Sequence, residues 1–292
     1  MGKRILITGA NGQLGRALNQ ILQEKKDNEY TIVNAGRGEP TSYCPLILDI
    51  TNSVAVMNVV QDLKPDIIIN CAAHTGVDLC ETEQEKAHRM NAVGPKNLAI
   101  AANAMECKLV HVSTDYVFSG EEKAPYTEEC ETKPQSVYGR TKLEGEELVK
   151  ENCVKYFIVR TAWLYGEGRN FVKTMLSLAD SNPEIRVVCD QFGSPTSALE
   201  LARAIVFLME TKEYGTYHAT CEGVASWYEF ATEIFHQAGK NVTVKPILTI
   251  DYPTPAVRPK NSVLENRKLK ELGYSMKPWK EALQEYMSTP CK

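Results

Sequence analysis

The 292-residue chain contains no apolar run long enough to cross a bilayer, which argues against a membrane partner. Met1-Gly-Lys-Arg4 leads directly into an apolar strand instead of a signal peptide, so the chain is expected to be cytoplasmic. No basic block is present. The 33 Lys and Arg are outnumbered by 37 Asp and Glu, for a net charge of −4. This balance argues against nucleic acid as the main partner, although a small phosphate-bearing ligand needs only a local basic patch. The nine cysteines include no C-x-x-C pair, and most, such as Cys71 and Cys107, lie in apolar or helical surroundings. Reduced structural thiols are the expected state. Five histidines form neither H-E-x-x-H nor H-x-H, so no zinc site is expected. There is no internal repeat and no low-complexity tract. A hydrophobic content of 43% can bury a sizeable core, as one large domain or two unequal ones.

What is present begins with a glycine-rich turn. Arg4-Ile-Leu-Ile-Thr8 is an apolar strand run that breaks into Gly9-Ala-Asn-Gly12-Gln-Leu-Gly15, followed by Leu14, Ala17, Leu18, Ile21 and Leu22 at helical spacing. A strand, a turn without side chains and a helix N-terminus together place backbone N–H groups and the helix dipole where a pyrophosphate can sit. Gly9 suits the turn, Gly12 the close approach of phosphate, and Gly15 the packing of helix on strand. The contacts expected of this loop are Gly9, Asn11, Gly12, Gln13, Leu14 and Gly15.

Strand-like runs at Tyr30–Asn34, Pro45–Leu48, Asp66–Asn70, Lys108–Ser113 and Tyr156–Thr161 alternate with helical patterns at Ser53–Leu63, Glu83–Ala104 and Tyr138–Lys150. Ser53 is the expected cap of the first. The rhythm predicts an α/β fold, a Rossmann-like doubly wound parallel sheet. Prolines then punctuate shorter elements, including helices at Ser197–Glu210 and Trp227–Ala238. The expected division is a dinucleotide-binding domain over 1–165 and a smaller mixed α/β substrate domain over 166–292, with an approximate boundary and elements that interleave.

In an open parallel sheet, ligands bind outside the carboxyl ends of the strands. These ends carry Thr8-Gly9, Asn70-Cys-Ala-Ala-His-Thr75 and Ser113-Thr-Asp-Tyr-Val-Phe118. Small residues at Cys71, Ala72 and Ala73 admit a flat ring or ribose to the backbone, and Thr114 can donate to a substrate oxygen. Tyr138-Gly-Arg-Thr-Lys142 follows, with a phenol and an ammonium on one helix face. A lysine charge about 5 Å from a tyrosine, at an effective dielectric of 20, is worth roughly 3 kcal/mol and would lower the phenol pKa by about two. This poises Tyr138 as a general acid. A Y-x-x-x-K spacing alone also suits a solvated helix, and Ser113 and Thr114 suit ordinary turn chemistry; their convergence with the glycine turn favours catalysis.

These motifs resemble the extended short-chain dehydrogenase/reductase family. Ser113–Phe118, Arg160-Thr-Ala-Trp-Leu-Tyr165, Asp190-Gln-Phe-Gly-Ser-Pro-Thr196 and Arg258-Pro-Lys-Asn-Ser262 extend the likeness to its dTDP-4-dehydrorhamnose reductase branch over essentially the whole chain. The resemblance implies reduction of the C4 keto group of dTDP-4-dehydro-L-rhamnose to dTDP-L-rhamnose, a donor for cell-surface polysaccharides, by NADPH or NADH. It implies Thr114, Tyr138 and Lys142 as catalytic residues, and Thr114, Asp115, Trp163 and Arg258 as substrate contacts. Asp49, Ile50, Cys71, Ala72, Ala73, Thr75, Val112, Tyr138 and Lys142 would join the glycine loop around the cofactor. Core packing is the plain alternative for Trp163, and a surface salt bridge for Arg258. Arg37, near the end of the second strand, suits a 2′-phosphate, although Glu39 lies close by.

Some members bind magnesium through glutamates at a dimer interface, but no such ligands are placed here. Glu121-Glu122 and Glu128-Glu129 read as a solvated loop. A homodimer is expected from the family alone. Two other classes compete with the reductase: an epimerase or dehydratase that retains bound NAD, and a non-catalytic dinucleotide-binding regulatory subunit. Asp115-Tyr116 is not the Asp-Glu pair expected of a dehydratase, and intact Thr114, Tyr138 and Lys142 argue against the regulatory subunit.

Overall fold

A computed structural model describes residues 2–25 and 29–288. Its centre is a seven-stranded, all-parallel sheet. In chain order its strands are β1 (Lys3–Thr8), β2 (Tyr30–Gly36), β3 (Leu46–Ile47), β4 (Ile67–Asn70), β5 (Lys108–Thr114), β6 (Tyr156–Thr161) and an edge strand, Gly215–His218. Their spatial order is β3-β2-β1-β4-β5-β6 followed by the edge strand. The order reverses between β1 and β4, which opens a crevice at their carboxyl ends.

Both sheet faces are covered, so its strands are continuously apolar instead of alternating. Ile5, Ile7, Ile67, Ile69, Val110 and Val159 face α1 (Gln13–Gln23) and the Ala198–Glu210 helix. Leu6, Ile68, Leu109 and Ile158 face the opposite layer, where Val56, Val60, Leu98 and Val149 close the core. Burying each such side chain stabilises the fold by about 1.5–3 kcal/mol. The Ala198–Glu210 helix and the edge strand return to this sheet from beyond residue 165. Leu269 and Met276 also pack into that core, whereas most other C-terminal elements build a separate apolar cluster around Tyr165, Phe230, Ile234, Trp279 and Leu283. There Glu184–Val188 pairs in parallel with Thr243–Ile247.

Three local expectations are corrected. Asn52, not Ser53, caps the Ser53–Leu63 helix, its side-chain oxygen accepting from the Ala55 N–H. The helix expected over Glu83–Ala104 runs unbroken from Gln84 to Ala104 but is not regular, widening into a π-turn at Arg89–Val93. Pro95 is the cause: it has no N–H to donate to Asn91, and its ring would strike that carbonyl in a regular helix. Glu128 is buried, not solvated, because its Oε1 accepts the backbone N–H groups of His218 and Lys268.

Among the described residues no helix is long and apolar enough to cross a membrane. The eight described cysteines are free thiols, and Cys291 lies outside the described residues.

Candidate active site

A cleft of about 1270 Å³ runs along the carboxyl ends of the strands and under the C-terminal elements. One end is the glycine turn. Gly9 has φ +67°, and a Cβ there would lie 2.6 Å from the Ala72 nitrogen. A Cβ on Gly15 would lie 2.5 Å from the backbone of Ala10, so only glycine lets α1 begin this close to β1. No side chain caps α1, whose first N–H groups point into the cleft region with the positive end of the helix dipole. This arrangement fits a pyrophosphate.

The structure brings nearly all of the expected residues to this cleft. Gly9, Asn11, Gly12, Gln13, Leu14, Gly15, Arg37, Ile50, Cys71, Ala72, Ala73, Thr75, Val112, Thr114, Asp115, Tyr138, Lys142, Trp163 and Arg258 all line it. Asp49 does not. Its carboxylate instead accepts the Thr51 N–H at 2.9 Å and closes the turn after β3. Arg37 stands exposed at the cleft wall, whereas Glu39 is outside it.

Tyr138 and Lys142 are carried by the Val137–Asn152 helix, which Ser136 caps through the Gly139 N–H. The helix is tied down by buried charge. Glu146, one turn beyond Lys142, accepts from Arg160 Nε at 2.9 Å, Arg160 Nη2 at 2.6 Å and the Ser113 hydroxyl at 2.5 Å. Asn91, displaced by the π-turn, donates to Thr141 Oγ1 and exchanges hydrogen bonds with the His74 backbone. The irregular turn thereby joins the segment after β4 to the Tyr138 helix.

The electrostatics correct one expectation. Burial pushes the Tyr138 phenol above its ordinary value, with the Thr114 hydroxyl opposing. Lys142 is itself only 2% exposed and is pushed down to about 8 by burial, against the attraction of Glu146 and Cys71. Its Nζ donates to the Val112 carbonyl at 2.6 Å and faces His111. The cost of removing two polar groups from water outweighs their local charge pairing. Asp115 is buried, and burial pushes it up to about 6 against hydrogen bonds from Ser262 and Thr114. Thr114 Oγ1 donates to Asp115 Oδ1 at 2.8 Å, and Asp115 Oδ2 has no hydrogen-bond partner among the described residues. Such a carboxyl can accept from, or donate to, a ligand hydroxyl.

Arg258 pairs with Asp78 at 2.5 Å and approaches the Tyr116 hydroxyl at 3.4 Å, while Asp78 also accepts the Ala256 N–H. This closes a strap over the cleft. Trp163 stacks on Trp227, and Phe171 packs against the latter. Asp78, Trp227 and Phe171 were not legible as site residues. Their only sequence signal is an aromatic or an acid in an otherwise ordinary helix. Among the described residues no group of three His, Cys, Asp or Glu could hold a metal ion.

A parallel sheet with its glycine turn and a tyrosine–lysine helix on one cleft defines the extended short-chain dehydrogenase/reductase class. Residues 3–290 match the family model described as the RmlD substrate binding domain. The chain is 42% identical to dTDP-4-dehydrorhamnose reductase of Aggregatibacter actinomycetemcomitans, over 96% of this chain and 97% of that protein. The crystal structure of a dTDP-4-dehydrorhamnose reductase from Clostridium acetobutylicum has a TM-score of 0.91 at 50% identity, covering 97% of this chain and 98% of that one. The enzyme of that name from Bacillus anthracis, solved with NADP, has a TM-score of 0.92 at 44% identity, covering 98% and 99%. The chain belongs to the dTDP-4-dehydrorhamnose reductase family.

Proposed function

We propose that this chain reduces the C4 keto group of dTDP-4-dehydro-L-rhamnose to give dTDP-L-rhamnose, for polysaccharide precursors. The observation that carries the reading is the convergence of Thr114, Tyr138 and Lys142 on the cleft that begins at the glycine turn. Bound there, a reduced nicotinamide dinucleotide supplies the hydride.

The protein's residues supply position and the proton. The α1 N-terminus and Gly9–Gly15 hold the pyrophosphate, Ala72 and Ala73 admit the rings, and Lys142 holds the nicotinamide ribose. Tyr138 stays protonated through the neutral range because burial raises it, so its hydroxyl is loaded to give a proton to the C4 oxygen as that oxygen gains negative charge. Thr114 turns the hydroxyl it gives to Asp115 toward the carbonyl, and the freed Asp115 carboxylate accepts from a neighbouring sugar hydroxyl. Trp163 faces the sugar, and Arg258 leaves Asp78 for a substrate phosphate or sugar oxygen. Arg37 suits the 2′-phosphate of NADPH, and both NADPH and NADH are accepted. The cytoplasm is the compartment proposed for this chemistry, and a homodimer is the assembly expected from the family.

The test is to add dTDP-4-keto sugars with each reduced cofactor. Stoichiometric oxidation of the cofactor is expected. Redox-neutral isomerisation would select an epimerase, and cofactor binding without turnover of any keto sugar would select a regulatory subunit.

A further inference from the structure

Thr8, Asn70 and His111 occupy the same row of three adjacent strands, for Thr8 is in register with Asn70 and Asn70 with His111. All three are buried, His111 completely, and the row ends at Lys142 Nζ, 3.4 Å from His111 Nε2. Nothing in the catalytic reading above employs it.

The hydrogen bonds fix every proton along this row. The backbone N–H of Ala72 can only donate, and it meets Asn70 Oδ1 at 3.1 Å. The Thr8 hydroxyl donates to the same oxygen at 2.7 Å. Asn70 must therefore direct its NH2 at His111 Nδ1, 3.0 Å away, and that nitrogen must accept. The buried ring is held neutral, by burial first and by Lys142 second, so its single proton sits on Nε2 and faces the lysine. An ammonium has no lone pair with which to receive it; an amine does.

We propose that His111 is a positioning residue for Lys142, its Nε2–H excluding the ammonium hydrogens from the sheet side and steering them to the Val112 carbonyl and the cleft. The inference rests on Lys142 holding the nicotinamide ribose. The ammonium is met by Glu146 on its own helix, Cys71 after β4 and His111 on β5, with Tyr138 one turn away. Glu146 favours the charged lysine, whereas burial and the His111 N–H favour the amine. The balance makes reduced-cofactor binding fall on an alkaline limb set by Lys142.

The tautomer is read directly from the ring 15N shifts of His111 in the intact wild-type protein. The Nε2–H form is expected, and an Nδ1–H form overturns the proposal without any variant. Asn70→Asp supplies the second readout. A carboxylate at this position demands a proton on Nδ1, so Nε2 presents its lone pair to the ammonium. The alkaline limb of NADPH affinity should then move up by about one pH unit, a tenfold gain at a pH above the wild-type limb. His111→Leu, which removes the opposing N–H, should move it in the same direction by less. Limbs that coincide with wild type in folded variants would refute the assignment. Because cofactor affinity is measured without sugar, failure of keto-sugar turnover would strike the reductase reading alone.

Discussion

Trp163 lies face to face with Trp227, their ring centroids 3.5 Å apart and their planes 8° from parallel, and Trp163 holds this stack from a left-handed backbone with φ +49°. A bulky residue in that region is strained, so the stack is over-determined by its surroundings. Both rings line the cleft. Trp163→Ala should raise KM for the keto sugar by roughly tenfold through lost aromatic surface, and leave NADPH affinity unchanged. Equal weakening of both ligands in titrations of tryptophan fluorescence and turnover would place Trp163 in the fold instead of the sugar site.

Tyr138→Phe removes one oxygen and keeps the ring packed edge-on against Tyr116 at 5.4 Å. Only the proton is lost, so kcat should fall by about 10²- to 10⁴-fold with cofactor binding nearly intact. Lys142→Met should impair both. Steady-state kinetics beside a direct binding titration separates the two variants, and near wild-type turnover in the phenylalanine variant would mean that another group is the acid.

Asp115 titrates near 6 in the folded chain against an ordinary 3.8. Between these values the folded state binds more protons than the unfolded state, so this residue's contribution to stability declines as pH rises through that window. Asp115→Asn removes the buried charge. The variant should be more stable than wild type at pH 7 to 8, by at most about 3 kcal/mol, and no different below about pH 4. Turnover should fall, since the carboxyl is held at this cost in the sugar end of the cleft. Urea unfolding at the two pH values checks the sign.

The ion pair of Arg160 with Glu146 is almost wholly buried, with side-chain exposures of 3% and 0%. Arg160→Met strands the Glu146 carboxylate and should cost about 3–5 kcal/mol. Adding Glu146→Gln should recover part of that loss. Chemical denaturation of the single and double variants tests the coupling, and simple additivity would show that the pair does not act as a unit.

Arg37 forms no ion pair among the described residues and stands at the cleft wall. Arg37→Ser should lower kcat/KM with NADPH by about tenfold or more relative to NADH, the worth of one charge-assisted phosphate contact. A wild-type protein that strongly prefers NADH would discard this role.

The local features of the chain follow from backbone period and side-chain type, and the sequence determined them unaided. The apolar strand before Gly9, the one-face pairing of Tyr138 and Lys142 and the bounds of Ser53–Leu63 and Tyr156–Thr161 required no knowledge of distant neighbours. Tertiary structure decided what depends on surfaces far apart in the chain. Arg258 finds Asp78 across 180 positions, Trp163 finds Trp227, and residues beyond 198 rejoin the first sheet. It also decided the charge balance of the site. A lysine four residues from a tyrosine predicts mutual attraction, whereas the folded protein withdraws both from water and turns the ammonium toward the Val112 carbonyl. Desolvation is a property of the finished packing, and no spacing within one helix reports it.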